Sequence, residues 1–124
     1  MLKTFVTVAS VAVIALSAGT ARAAGDVKAG EKVFKKCAVC HDIRAGKHKI
    51  GPSLQGVAGR KAGAAEGYRY SPATTKSGVT WTDESLDKYL EKPNSLIKGS
   101  RMAFAGLKSK KERDDVIAYL KTLK

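Results

Sequence analysis

The chain has 124 residues, with 23 Lys and Arg against 11 Asp and Glu, a formal net charge of +12. That length holds one domain with a modest core, and an aromatic content of 6% leaves the core short of large side chains. No repeat, low-complexity tract or linker divides the sequence, which excludes a multi-domain or disordered organisation.

The first element is a leader. Met1-Leu2-Lys3 is a short basic start, Phe5 to Ala18 is an uncharged and largely apolar run of fourteen residues, and Ala21-Arg22-Ala23 is a small-x-small cleavage pattern. A membrane-spanning helix needs roughly twenty apolar residues, so residues 1–23 read as a cleavable signal peptide rather than an anchor. Cleavage after Ala23 leaves residues 24–124 as the mature domain and, by removing Lys3 and Arg22, takes the net charge from +12 to +10. Export of this kind points to the periplasm.

In the mature chain, Asp26 can cap a helix that carries Val33 and Phe34 toward Cys37. Gly30 inside that helix costs up to about 1 kcal/mol against alanine, and the expected return is close approach of a crossing helix. Next comes Cys37-Ala38-Val39-Cys40-His41, which reads as a covalent haem attachment site. Two thiols at this spacing can bond the two vinyl groups on one edge of a porphyrin, and the adjoining imidazole is placed as the proximal iron ligand. A redox dithiol, half of a zinc site completed by His48, and a small disulfide are the alternatives. The dithiol expects a preceding apolar strand, whereas Val27 to Lys36 is charged and helix-like. The clustering of Cys37, Cys40, His41 and His48 lacks the long spacer of common zinc modules. Export, where thioether attachment takes place, favours haem.

Glycine and proline punctuate the middle, and no stretch sustains the period-two alternation of a strand. Ser71-Pro72 starts a short helix, with a cap followed by proline in the first turn. Thr82 starts another, running through Leu86 and Leu90 and stopping before Pro93. Near the C-terminus Ser109-Lys110-Lys111-Glu112 is a capping-box pattern, and Val116, Ile117, Leu120 and Leu123 recur at helical spacing. The spacing predicts an all-α domain of four to five helices joined by ordered loops.

A haem iron held by His41 needs a sixth ligand or stays open for chemistry. His48 follows His41 by seven residues, too close to cross to the opposite haem face, and Met102 is the one methionine left after leader removal. Met102 in the turn-prone Lys98-Gly99-Ser100-Arg101-Met102 is therefore the expected second axial ligand; His/Met ligation raises the reduction potential and fills both axial sites.

Several separate motifs in order now carry a resemblance. Gly30 to Phe34 before Cys37, Gly51-Pro52-Ser53-Leu54 with Gly56 and Gly59-Arg60, Gly67 to Ser71, Gly78-Val79-Thr80-Trp81, Tyr89 to Pro93, Gly99 to Leu107 and Glu112 to Leu120 together cover essentially residues 25–124. In these the chain resembles a class I c-type cytochrome of the bacterial cytochrome c2 type, similar also to mitochondrial cytochrome c. The resemblance implies a small cytochrome c fold around one haem c bound through Cys37 and Cys40, with the N- and C-terminal helices crossing at Gly30 and Tyr119. It implies that the Pro52 carbonyl fixes the second ring nitrogen of His41, and that Arg60, Tyr70 and Trp81 hold the haem propionates. It places Tyr89 and Ser100 near the Met102 sulfur, and gives His48 a structural hydrogen bond between loops.

Two departures stand out. Lys98 replaces a proline common in the family, which frees the loop and leads us to expect easier displacement of Met102 by a lysine at alkaline pH. Thr74 stands where asparagine often approaches a propionate.

The implied activity is electron transport: a periplasmic Fe(III)/Fe(II) shuttle from a membrane quinol-oxidising cytochrome complex to a photosynthetic reaction centre or terminal oxidase, working as a monomer and not as an enzyme. Lys35, Lys36, Lys49, Lys98, Arg101 and Lys108 are expected to contact acidic docking faces. Lys47, Lys110 and Lys111 lie on segments expected to flank the same edge. Nucleic acid would also attract such charge, but export and the absence of a binding motif argue against it. The competing reading is a haem peroxidase or diatomic-gas sensor with a dissociable methionine.

Overall fold

A computed structural model describes residues 25–124; the signal-peptide and cleavage expectations fall outside the described residues. Within them the chain forms five helices: α1 (Val27–Ala38), α2 (Pro72–Lys76), α3 (Asp83–Glu91), α4 (Pro93–Leu96) and α5 (Lys110–Leu120). One isolated antiparallel bridge, Lys61 with Thr80, is the only strand-like pairing among the described residues.

The helix starts follow the sequence signals. Asp26 accepts from the Ala29 amide and Ser71 from the Thr74 amide, with Pro72 in the first turn of α2. Thr82 caps α3 reciprocally with Ser85, a pairing that the search for Glu or Gln at that position passes over. The expected capping box of α5 forms only by half. Ser109 accepts from the Glu112 amide at 3.3 Å, but the Glu112 carboxylate turns to Lys36 on α1 at 3.5 Å. Pro93 ends α3 as expected and also opens α4, since proline suits a helix's first position, where its missing N–H costs nothing.

The terminal helices cross at Gly30. A methyl group there would overlap the Asp115 carbonyl and sit 2.9 Å from the Tyr119 Cβ, so only hydrogen lets α1 and α5 touch. Phe34 and Tyr119 pack beside the crossing with ring centroids 5.1 Å apart. Asp115, buried on α5, accepts from the Asp26 amide at 2.8 Å and ties the start of α1 to the crossing. Phe34, Val57, Leu86, Leu90, Leu107, Val116, Ile117 and Leu120 form one buried cluster, with Trp81 and Phe104 against its rim. Leu86 and Leu90 come from α3, so three helices and two loops share a core that is small for the chain's length.

Candidate functional site

The proximal half is built from local geometry. Cys37 lies in the last turn of α1, and its carbonyl accepts from the Cys40 and His41 amides, both at 3.0 Å. This turn places two unpaired thiols and an imidazole at the end of one helix. The chain then loops back so that the Gly51 amide donates to the Cys40 carbonyl at 2.8 Å, and His41 Nδ1 donates to the Pro52 carbonyl at 2.7 Å. The Nδ1–H tautomer leaves the Nε2 lone pair for a metal. Burial lowers the proton affinity of His41, and Lys49 and Arg60 lower it further against the opposing pull of the Pro52 carbonyl. The ring is thereby kept neutral and able to ligate. A methyl on Gly51 would meet the His41 ring, with Nδ1 at 2.7 Å and Nε2 at 2.9 Å. Burial raises the Cys37 thiol pKa, with Lys36 pulling the other way.

His48 takes no part in ligation. One ring nitrogen accepts from the Ser53 amide at 3.0 Å and the other donates to the Glu66 carbonyl at 2.7 Å, so it bridges two loops as expected. With both nitrogens occupied it cannot complete a zinc site, and among the described residues no group of three His, Cys, Asp or Glu is placed to hold an ion.

Arg60, Trp81, Tyr89, Ser100 and Met102 join through a continuous series of contacts. Arg60 donates to the carbonyls of Gln55 at 3.0 Å and Ser53 at 3.1 Å, the latter adjoining Pro52. The Trp81 amide donates to the Arg60 carbonyl at 2.9 Å, and the Trp81 ring packs on Tyr89 with centroids 4.8 Å apart. The Tyr89 hydroxyl and Ser100 Oγ share a hydrogen bond of 2.6 Å, and Ser100 Oγ accepts weakly from the Met102 amide at 3.4 Å. Burial raises the Tyr89 phenol pKa, partly offset by Ser100, so it stays protonated at neutral pH. Tyr70 stands to one side, its hydroxyl accepting from the Ala65 amide at 3.0 Å and its ring edge-on to Tyr68 at 4.9 Å. Thr74 Oγ1 accepts from the Ser71 hydroxyl at 2.9 Å, so its short side chain is engaged within α2.

These groups fit a haem. Arg60 Nε is buried without a partner, the one such side-chain nitrogen or oxygen among the described residues. A buried guanidinium N–H calls for an acceptor, and a propionate carboxylate is an acceptor of the right chemistry. Two free thiols three residues apart and an imidazole with its second nitrogen already bonded complete a donor set suited to covalent attachment and iron ligation.

Of the expected docking cations, Lys35, Lys36, Lys49, Lys98, Arg101 and Lys108 are all exposed. Lys36 faces Glu112, and Lys49 Nζ donates to the Ala38 carbonyl at 2.7 Å. Lys110 and Lys111 are turned back on their own helix, Lys110 to Asp114 and Lys111 to Asp115. Sequence reasoning passed over Gly51 as a steric partner of His41, and Gly106 and Arg113 behind the Met102 loop. Arg113 carried the one available signal, a charge among the apolar positions of α5.

Comparison with known proteins agrees with this geometry. The family described as Cytochrome c matches residues 27–124. A cytochrome c from Gibberella zeae is 50% identical over 101 residues, covering 80% of this chain and 95% of that protein. A cytochrome c2 from Rhodoblastus acidophilus is 49% identical over 102 residues, covering 82% and 95%. Among solved structures, cytochrome cH from Methylobacterium extorquens is similar with a TM-score of 0.75 and 46% identity, over 79% of this chain and 99% of that one.

Proposed function

The chain belongs to the cytochrome c family, whose covalently attached haem c suits Cys37, Cys40 and His41, and from that premise we propose that it is a periplasmic one-electron carrier with His41 and Met102 as axial ligands. When bound, the haem supplies the Fe(III)/Fe(II) couple. The rest is the work of this chain's residues. Cys37 and Cys40 hold the porphyrin edge, and Pro52 orients the His41 imidazole and raises its basicity. Arg60, Tyr70 and Trp81 hold the propionates. Tyr89 and Ser100 would steer the Met102 segment, through their shared hydrogen bond and the contact of Ser100 Oγ with the Met102 amide. With both axial positions filled, outer-sphere transfer is favoured over oxygen chemistry. The observation that carries the reading is the continuous run of contacts from His41 and Pro52 through Arg60, Trp81, Tyr89 and Ser100 to Met102.

The leader sequence, the cytochrome c2 relatives and the basic surface support the cellular role. The carrier receives an electron from a membrane quinol-oxidising complex and delivers it to a reaction centre or terminal oxidase. Lys35, Lys36, Lys49, Lys98, Arg101 and Lys108 orient it on acidic faces as a monomer. It transforms no substrate and binds no nucleic acid. Stopped-flow reduction by a quinol-oxidising membrane complex tests this. The second-order rate should fall steeply as salt rises past about 0.1 M, and Lys49→Glu should lower both rate and salt slope. A rate indifferent to salt would overturn the docking scheme.

A further inference from the structure

Met102 is carried by a loop whose own hydrogen bonding is sparse. Between Ser100 and Leu107 the one backbone–backbone bond is from the Phe104 amide to the Met102 carbonyl at 3.0 Å, beside the weak contact of the Met102 amide with Ser100 Oγ at 3.4 Å, and Arg101, Ala103 and Ala105 are exposed. The loop's position is therefore set at its ends. Upstream, Ser100 meets Tyr89. Downstream, the Leu107 amide donates to the Leu90 carbonyl at 2.7 Å, and Gly106, with φ of +106°, lies so close to the Glu91 carbonyl that no side chain fits.

Behind this downstream dock lies a buried charge that the electron-carrier reading leaves unused. The Arg113 side chain, 6% exposed, donates from Nη1 to the carbonyls of Leu107 at 2.8 Å and Lys108 at 3.0 Å. Its Nε donates to Asp87 Oδ1 on α3 at 2.8 Å, and Nη2 faces Glu91 at 4.0 Å. One planar guanidinium thus joins α5, α3 and the end of the Met102 loop. A helix-to-helix ion pair has no need of those two carbonyls. Without the arginine, both carbonyls lose this donor and the half-buried Asp87 carboxylate keeps only Lys110, at 3.6 Å.

We infer that Arg113 is a positioning residue for the sixth ligand, holding the downstream end of the loop so that Met102 stays on the iron. This rests on the Met102 ligation proposed above. Lysine supplies a single point charge and cannot reproduce the fork across two carbonyls and Asp87.

The test uses haem-loaded protein. Arg113→Lys is compared with Tyr119→Ala, which weakens the helix crossing without touching the loop, at urea concentrations that bring wild type and both variants to equal global stability. At that match Arg113→Lys should bind carbon monoxide in the ferrous state about tenfold faster than either, with the far-red sulfur–iron band lost at lower urea, as expected when a charged hydrogen-bond anchor is removed from a locally opening segment. Amide exchange at Leu107 should accelerate in Arg113→Lys alone. Equal carbon monoxide rates in the two variants, beside a normal wild-type far-red band, would overturn this inference and leave the ligation standing. A wild-type protein with no far-red band would overturn the ligation, and with it this role for Arg113.

Discussion

The two sides of the site are built differently. The His41 side is a short local structure in which residues 37–54 fold on themselves: His41 bonds to Pro52, the Gly51 amide to Cys40, the Leu54 amide to Asp42 at 2.9 Å, and Ser53 Oγ to the Arg44 carbonyl at 2.6 Å. The Met102 side is a loop arriving some sixty residues later, fixed at Ser100 and Leu107 with little between. The proposed His41 ligand is held by its neighbours and the proposed Met102 ligand by distant helices. A carrier built this way should yield first at Met102.

The largest effect is expected at the base of the firm side. Gly30→Val would drive a branched side chain into the Asp115 backbone and separate α1 from α5. Overpacking against rigid backbone should cost about 3 kcal/mol or prevent folding, read as the urea midpoint of the haem protein. If the variant were as stable as wild type, the crossing would not be what supports the proximal side.

Gly51→Ala is next, since its methyl must push the His41 ring away from Pro52. A cost of about 1–3 kcal/mol is expected, with a shift of the imidazole resonances that a plain loss of stability would not produce. On the other side, Tyr89→Phe removes the 2.6 Å bond to Ser100 and should cost about 1 kcal/mol, with the far-red band lost before global unfolding. Were the band to vanish only with the fold, the two sides would be equally firm.

Acid offers a graded test of the remote support. Burial pushes the Asp87 carboxyl up, but Arg113 and Lys110 outweigh it and hold the pKa below the ordinary value. A carboxyl with a lowered folded pKa stabilises the fold fully above about pH 4 and loses that contribution as pH falls through the folded value. The thermal midpoint of wild type should therefore exceed that of Asp87→Asn at pH 6, and the gap should close as pH falls below about 4 through the lowered folded value. A gap that persists unchanged would remove Asp87 from the account. The smallest effect is expected at Lys98, which is exposed and follows Ile97 in the extended, non-helical backbone region that a residue before proline prefers. Lys98→Pro should stabilise by about 0.4–1 kcal/mol and raise the pH at which alkali removes the far-red band.

The same contrast explains how much the sequence disclosed. The helix starts at Asp26, Ser71, Thr82 and Ser109 were legible because a cap acts over three residues. The attachment segment was legible because its chemistry leaves few substitutes, and Met102 stands as the proposed sixth ligand. The contact of the Pro52 carbonyl with His41 came from resemblance and was met in the structure, while Tyr89 and Ser100, expected near the Met102 sulfur, bond to each other. Arg113 was passed over because its one local mark, a charge on the apolar face of α5, names no partner: Asp87, Leu107 and Lys108 meet it only through the tertiary fold. Glu112 misled for the same reason, since Lys36 on α1 competes for a carboxylate that the capping pattern assigns to Ser109. Lys110 and Lys111 are exposed and pair with Asp114 and Asp115 one turn on, and Lys110 also faces Asp87 on α3.

The central claim is that both axial positions are filled, by His41 firmly and by Met102 through its anchors. An optical spectrum of the mature protein, oxidised and reduced, before and after carbon monoxide at neutral pH, tests it most directly. The account predicts a covalent c-type spectrum with a far-red sulfur–iron band and no change on adding the gas. A missing far-red band, or a prompt carbon monoxide shift, would contradict it and assign the chain to peroxidase or gas-sensing chemistry at an open iron.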